Sequence, residues 1–256
     1  SDTLYSIYIH IVYLSQALKD VASESSPNLS VKAGDVIGQI GNTSFDYSLH
    51  DETVTLPGFI LPDQYKSEAW KIHTVDPFDY FEDSIKQQLI AVCPRVVTPL
   101  GGKIDLDLDG FAVGNWFVEN TNGYAGINSP DYWDTHLSFA YDHFDPTWIR
   151  ISMGKYDDST GVFGVKDNTP DPTTISVATG LVKYELVEID WKLKSTSEFW
   201  NRLEYEGELV GFNFDTVKGV VLVQMLDTRS LKFEAFPGKT ADQVTAFTSS
   251  AVTYER

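Results

Sequence analysis

The chain has 256 residues, of which 42% are hydrophobic and 13% aromatic, so it can bury the core of one large or two ordinary domains. Its formal net charge is −18. Such a surface repels phosphate backbones and excludes a general nucleic-acid binder. The sequence holds no apolar stretch long enough to span a bilayer. Cys93 is the single cysteine, which excludes an internal disulfide and a cysteine-based zinc site.

The beginning of the chain predicts strands and one short helix. Alternating apolar residues predict a strand over Leu4–Ile11, because side chains on a strand point to opposite faces in turn. Apolar residues at helical spacing then predict a short helix over Val12–Ser23. A second strand is predicted at Val36–Ile40, between glycine turns.

A domain boundary is predicted after a helix. Asp76 and Pro77 favour a helix start, so a helix is predicted over Phe78–Val92. Proline and glycine residues follow it and predict turns. We therefore place the boundary within residues 93–101, which gives a first domain of residues 1–92 and a second of residues 93–256.

Strand signals recur at short spacing in the second domain, separated by Gly, Asn and Asp turns. The predicted strands are Lys103–Asp109, Ala112–Glu119, His136–Tyr141, Trp148–Met153, Gly161–Val165, Thr174–Val177, Leu181–Leu193, Phe199–Phe212, Gly219–Leu226 and Leu231–Phe236. Many short strands with such turns are typical of an antiparallel β-barrel or sandwich. The predicted fold class of the chain is therefore mostly β.

The end of the chain predicts a helix that packs on this barrel or sandwich. Thr240 and Gln243 form a capping-box pattern. Val244, Phe247 and Tyr254 follow at helical spacing.

The first domain carries four motifs in a fixed order. They are Tyr8-Ile9-His10, a glycine-containing hairpin from Val31 to Thr43, Ser48-Leu49-His50, and Val75-Asp76-Pro77. In order and kind, residues 8–81 resemble the second half of the lysostaphin-type zinc endopeptidase domain (peptidase family M23). This resemblance implies a partial β-sandwich in the first domain.

The resemblance also implies how zinc would be used. A catalytic zinc takes three protein ligands and one water, and a nearby His accepts a proton from that water. His50 falls at the position of the third ligand, and His10 at a position that flanks the bound water. Ser48 stands where the family has its other active-site His, and the family's upstream His-x-x-x-Asp ligand motif is absent from the sequence. We therefore expect no cofactor, and zinc only if the chain is a peptidase; otherwise both histidines are structural.

A partial sandwich leaves strand edges unpaired, and such edges pair with other chains. We therefore expect self-association through an open sheet edge, or a partner strand from elsewhere.

Asp105, Asp107 and Asp109 precede a glycine, as at the start of a calcium loop. The twelfth position of that loop is Trp116 rather than the bidentate Glu of an EF-hand. Calcium binding by these carboxylates is one hypothesis. A solvated strand face is the other, because Ile104 and the two leucines of this segment alternate with the aspartates.

Two further clusters in the second domain bear on function. Gly114-Asn115-Trp116 is similar to the Gly-x-Trp motif of lipocalin-like barrels, in which the Trp closes one barrel end; the alternative is an ordinary core Trp. Asp142 and Asp145 lie beside aromatic residues, where they predict a turn with capped backbone amides rather than a metal site.

The leading functional hypothesis is a non-catalytic binding or structural module outside the cytoplasm, secreted or extracytoplasmic. Its partner would be another protein or cell-wall glycan, because the numerous Trp and Tyr side chains suit stacking on sugars. The alternative is a zinc-dependent peptidoglycan endopeptidase whose metal-binding first half lies outside this sequence. A third hypothesis is a carrier of a small ligand inside the second domain.

Overall fold

The computed structural model describes residues 3–42, 44–128, 130–202, 205 and 207–256, so Thr43 of the glycine hairpin lies outside the described residues. The chain is mostly β, as the sequence predicts. Its largest unit is a closed barrel of eight antiparallel strands, which decides between the two architectures that the strand pattern allowed.

Two small sheets precede the barrel. Strands β1 (Leu4–Ile9), β4 (Asp46–Asp51) and β5 (Thr74–Val75) form the first, in the order β1-β4-β5. Strands β2 (Ile11–Leu14) and β3 (Gly38–Ile40) form the second. The edges of the first sheet are thus β1 and β5.

Two short α-helices replace longer predicted ones. Helix α1 covers only Gln16–Val21, because β2 takes the residues before it, and the Ser15 side chain accepts a hydrogen bond from the Leu18 amide at its start. Helix α2 covers Asp83–Ile90. No helix or strand is found in the described chain between α2 and the barrel, so the predicted strand over Lys103–Asp109 is wrong.

The barrel runs up and down in chain order. Its strands are β6 (Gly114–Val118), β7 (His136–Tyr141), β8 (Ile149–Tyr156), β9 (Ser159–Val165), β10 (Val182–Leu193), β11 (Leu209–Met225), β12 (Ser230–Pro237) and β13 (Val252–Glu255). Each strand pairs with the next, and β13 closes the barrel by pairing with β6. Closure removes free sheet edges from this unit.

Short 3₁₀ helices connect these elements. They span Pro62–His73, Pro77–Asp79, Gly123–Ala125, Tyr132–Thr135, Lys166–Asn168, Pro172–Thr174, Val177–Thr179 and Ala241–Gln243.

The predicted C-terminal helix is wrong. The capping box at Thr240 and Gln243 does form, but it starts only a three-residue 3₁₀ turn. Val244 then packs on the outside of the barrel, and Tyr254 lies in β13 rather than in a helix. As strand β13, this segment forms backbone hydrogen bonds with both β12 and β6 and closes the barrel. A surface helix in its place would leave the facing edges of those two strands unpaired.

Another predicted strand is displaced. For Phe199–Phe212, residues 203, 204 and 206 lie outside the described residues, and β11 begins only at Leu209.

The barrel interior is filled by side chains. Inward-facing residues of the strands form one buried apolar cluster, in which Trp116, Phe139 and Leu186 are completely buried. An eight-stranded barrel is just wide enough for its side chains to fill it. The interior is thus a packed core.

The two small sheets carry an exposed apolar surface. Its large side chains include Tyr8, Val12, Tyr13 and Ile40. Exposed apolar side chains of this kind are available for contact with another chain. Self-association through this region remains a prediction.

Candidate functional site

His50 lies on β4 and is completely buried. Its Nδ1 lies 3.0 Å from the Trp70 carbonyl oxygen, which only accepts, so Nδ1 carries the proton. Its Nε2 lies 2.9 Å from the Ser48 hydroxyl, which donates to it. The ring also stacks on Tyr5, with centroids 5.2 Å apart. Both nitrogens of His50 are therefore used within the fold.

His10 lies far from His50. It follows β1 in a turn with φ of 70°, and its Nε2 is 3.4 Å from the exposed Asp46 carboxylate. Because Ile9 pairs with Asp46 and Tyr5 pairs with His50, about 16 Å of strand separates the two histidines. The structure does not bring them together.

The described residues around His50 do not assemble a set of zinc ligands. Among the described residues, no group of three or more His, Cys, Asp or Glu side chains is placed to hold a metal ion. His50 has no free nitrogen to offer, since Ser48 occupies its Nε2. The hydroxyl of Ser48 does not titrate near neutrality, so it does not replace the imidazole that the peptidase mechanism needs at this position.

The buried histidines predict a stability that falls in acid. Burial lowers the pKa of His50, His136 and His143, so the unfolded chain binds protons at higher pH than the folded chain. The free energy of unfolding should be fully retained above about pH 6.5 and decrease as the pH falls toward the lowered pKa values. Urea unfolding at about pH 7.5 and about pH 5.5 measures this decrease.

The His143→Gln variant should show a smaller decrease than the wild type, and the exposed His10→Ala control should show the full decrease. Burial raises the pKa of Asp107 and acts in the opposite direction, so the difference between variants isolates the histidine contribution. Equal decreases for both variants would contradict this prediction.

The three aspartates of the calcium hypothesis do not converge. Asp105 accepts a hydrogen bond from the Gly58 amide at 2.8 Å and pairs with Lys103. Asp109 points elsewhere and pairs with Arg229 at 2.8 Å.

The middle aspartate joins two parts of the chain. Asp107 accepts from the Ile60 amide at 3.2 Å and the Asn115 amide at 2.8 Å. Together with Asp105, it attaches the segment around Phe59 to the barrel strand β6.

The predicted turn at Asp142 and Asp145 is confirmed. Asp142 accepts from the Phe144 and Asp145 amides, both at 2.9 Å. Sequence reasoning missed that Asp142 also forms a buried ion pair with Arg150 at 2.9 Å and accepts from the Trp191 indole at 2.9 Å. Arg150 lies on the next strand, β8, and Trp191 lies on β10, so both contacts depend on how the strands pack and not on a local sequence pattern.

Trp116 belongs to the packed core of the barrel. It is completely buried and donates to the Ala112 carbonyl at 2.7 Å. The Arg256 guanidinium lies 4.0 Å above the indole ring, within cation–π range. Burial lowers the pKa of Arg256 to about 10, although Asp107 opposes that shift.

An aromatic groove of about 350 Å³ lies on the outer wall of the barrel. The 3₁₀ helix Pro62–His73 covers it from one side, and strands β6, β7 and β8 form its floor. Its aromatic lining consists of Phe59, Tyr65, Trp116, Phe117, Tyr124, Trp133 and His136. Its polar lining includes Lys71, Asn115, Ser138, Ser152 and Thr160.

Glycine permits the tight packing of this groove's rim. A β-carbon on Gly154 would lie 1.6 Å from the Trp133 carbonyl oxygen, which is a severe overlap. The segment that carries Trp133 thus rests directly on β8, and any side chain at Gly154 would displace it.

The aromatic groove contains one histidine, His136, and its contacts set its protonation state. His136 Nε2 donates to the Tyr124 carbonyl at 2.9 Å, and burial lowers the pKa of this imidazole. The ring is therefore neutral near pH 7, and its Nδ1 carries a lone pair that accepts hydrogen bonds.

A larger recess of about 630 Å³ lies between β5 and residues 99–105. Its charged side chains already have partners. Asp76 accepts from the Phe78 amide, Asp79 pairs with Lys86, and Lys103 pairs with Asp105. This recess offers fewer free groups to a ligand than the aromatic groove.

In comparisons with known proteins, no family model, curated protein or solved structure gives a significant match to this chain. No helix in the described part of the chain has the length and apolar character needed to cross a membrane.

Proposed function

We propose that this chain is a non-catalytic binding module that acts outside the cytoplasm, on cell-wall glycan. The observation that carries the proposal is the state of His50. Both of its ring nitrogens are engaged, by Ser48 and by the Trp70 carbonyl.

Hydrolysis by the zinc mechanism needs groups that the described residues do not assemble. Three ligands must hold the metal, and a base must take a proton from the bound water. His50 is saturated, and His10 lies about 16 Å away along the strand. We therefore propose that the surface of the chain binds a partner without activating water for hydrolysis.

The packed barrel argues against the carrier hypothesis. The largest interior side chains, including Trp116, Tyr184 and Phe139, occupy the space that a ligand inside the barrel would need. Binding is thus better placed on the outside of the barrel than within it.

Co-sedimentation with purified peptidoglycan sacculi tests the proposed function. We expect the full chain to pellet with sacculi, with or without added Zn²⁺, and to release no soluble fragments above a protein-free control. His10→Ala should pellet like the wild type.

Two results would contradict this proposal. One is failure of the wild-type chain to pellet with sacculi. The other is zinc-dependent release of fragments that His50→Ala abolishes, since this would show that His50 takes part in hydrolysis.

A further inference from the structure

We infer that the aromatic groove is a saccharide-binding site for uncharged sugar rings. This inference rests on the proposed function and specifies where the glycan binds. Aromatic rings pack against the apolar faces of sugars, while hydroxyl and amide groups at the edge of the site bond to sugar hydroxyls. The groove's volume of about 350 Å³ falls within the range of small-molecule sites.

The rings of the aromatic groove form a continuous series across two parts of the chain. Phe59 and Tyr65 come from the segment before the barrel, with ring centroids 4.5 Å apart. The ring centroid of Tyr65 lies 5.6 Å from that of the barrel residue Tyr124, which lies 4.7 Å from that of His136. The groove therefore exists only while residues 56–73 pack on the barrel.

Trp133 lies at the rim of the series. It is 37% exposed and contacts Tyr132, with ring centroids 5.3 Å apart. A large, partly exposed indole beside a groove is well suited to stack on a ligand ring. Its backbone is held in place by the contact with Gly154.

Tyr65 forms a buried part of the groove wall. The residue is 5% exposed, and its hydroxyl makes no hydrogen bond of normal geometry among the described residues, although the Asn115 amide lies beside it. An unsatisfied buried hydroxyl is costly. Because this hydroxyl has almost no accessible surface, a bound sugar would not reach it, and Tyr65 contributes to the wall of the groove instead.

Further hydrogen-bonding groups stand on the floor of the groove. Ser138 and Ser152 face each other across β7 and β8, and both line the groove. The neutral His136 offers its Nδ1 as an acceptor. Sugar hydroxyls both donate and accept, so they match this mixture of hydroxyl and imidazole groups.

The charges favour an uncharged ligand. Lys71 is the cation of the groove, and it already pairs with Glu68 at 3.2 Å and lies 4.7 Å above the Tyr124 ring. The net charge of −18 repels polyanions. Anionic cell-wall polymers are thus poorer ligands here than neutral glycan strands.

Titration calorimetry with N-acetylchitopentaose, an uncharged β-linked oligosaccharide, tests this inference on the full chain. We expect the wild type to bind, and Trp133→Ala to bind about tenfold more weakly or worse. Phe199→Ala is the matched control, because Phe199 is a 45% exposed aromatic outside the groove. It should bind like the wild type.

Sacculus binding separates the possible failures. If wild-type protein pellets with sacculi and Trp133→Ala weakens binding of neither the pentaose nor sacculi, the groove inference is overturned while the proposed function stands. Binding to isolated stem peptides but not to peptide-free glycan strands would also overturn the inference. If the wild type binds no sacculi, the proposed function itself fails.

Discussion

Replacing Asp142 with Ala is expected to lower the free energy of unfolding by about 3–5 kcal/mol, because it leaves a buried guanidinium without its counter-charge. Arg150 and Asp142 are both buried, and Arg150 reaches the carboxylate through Nε at 2.9 Å. Burial lowers the pKa of Arg150, whereas Asp142 raises it. The variant also loses the hydrogen bond from the Trp191 indole.

Urea unfolding followed by tryptophan fluorescence measures this loss. Glu188→Ala is the matched control, because Glu188 pairs with Lys218 at 2.6 Å on the surface, where ion pairs contribute about 1 kcal/mol or less. A loss for Asp142→Ala no larger than that of the control would show that this ion pair does not hold the barrel wall together.

Replacing Trp116 with Ala is expected to cost about 3–5 kcal/mol of unfolding free energy, because it opens a cavity in a close-packed core. The indole is completely buried. Its removal leaves the Ala112 carbonyl without the donor at 2.7 Å and the Arg256 guanidinium without the ring beneath it. The result should be a barrel that is weakened at the end where β6 begins.

Chemical denaturation of Trp116→Ala beside Trp133→Ala provides the comparison. Trp133 is partly exposed, so its truncation should cost far less, which also makes it a sound variant for binding studies. Trp116→Phe should lie between the two, since it keeps an aromatic ring and loses the hydrogen bond. Equal stabilities for the two Ala variants would refute the assignment of Trp116 to the core.

The contacts between the first part of the chain and the barrel connect stability to recognition. Asp105 and Asp107 accept hydrogen bonds from the backbone amides of Gly58 and Ile60, respectively. These two residues flank the groove residue Phe59. Carboxylates that the sequence pattern assigned to calcium or to solvent therefore hold one wall of the aromatic groove. Replacing Asp105 should loosen this wall of the groove, whereas replacing Asp107 should also remove a hydrogen bond to the Asn115 amide of β6.

Sequence alone determined features that depend on neighbouring residues. The strand predicted at His136–Tyr141 has the same bounds in the structure, because alternation of apolar side chains is a local pattern. The turn at Asp142 and Asp145 was also predictable, since short carboxylates bond to amides two or three residues on. The capping box at Thr240 likewise formed as predicted.

Tertiary structure alone decided how distant segments meet. The apolar spacing near Tyr254 predicts a helix, but Tyr254 pairs as a strand residue with Val118 of β6. These two residues are 136 positions apart in the chain, and their pairing satisfies the backbone hydrogen bonds that close the barrel. The sequence motif marked His50 as either a zinc ligand or a structural histidine, but its burial and its distance from His10 depend on the packing and on the β1–β4 register. The aromatic groove was invisible for the same reason: its rings are scattered along the sequence, and only long-range packing brings them onto one surface.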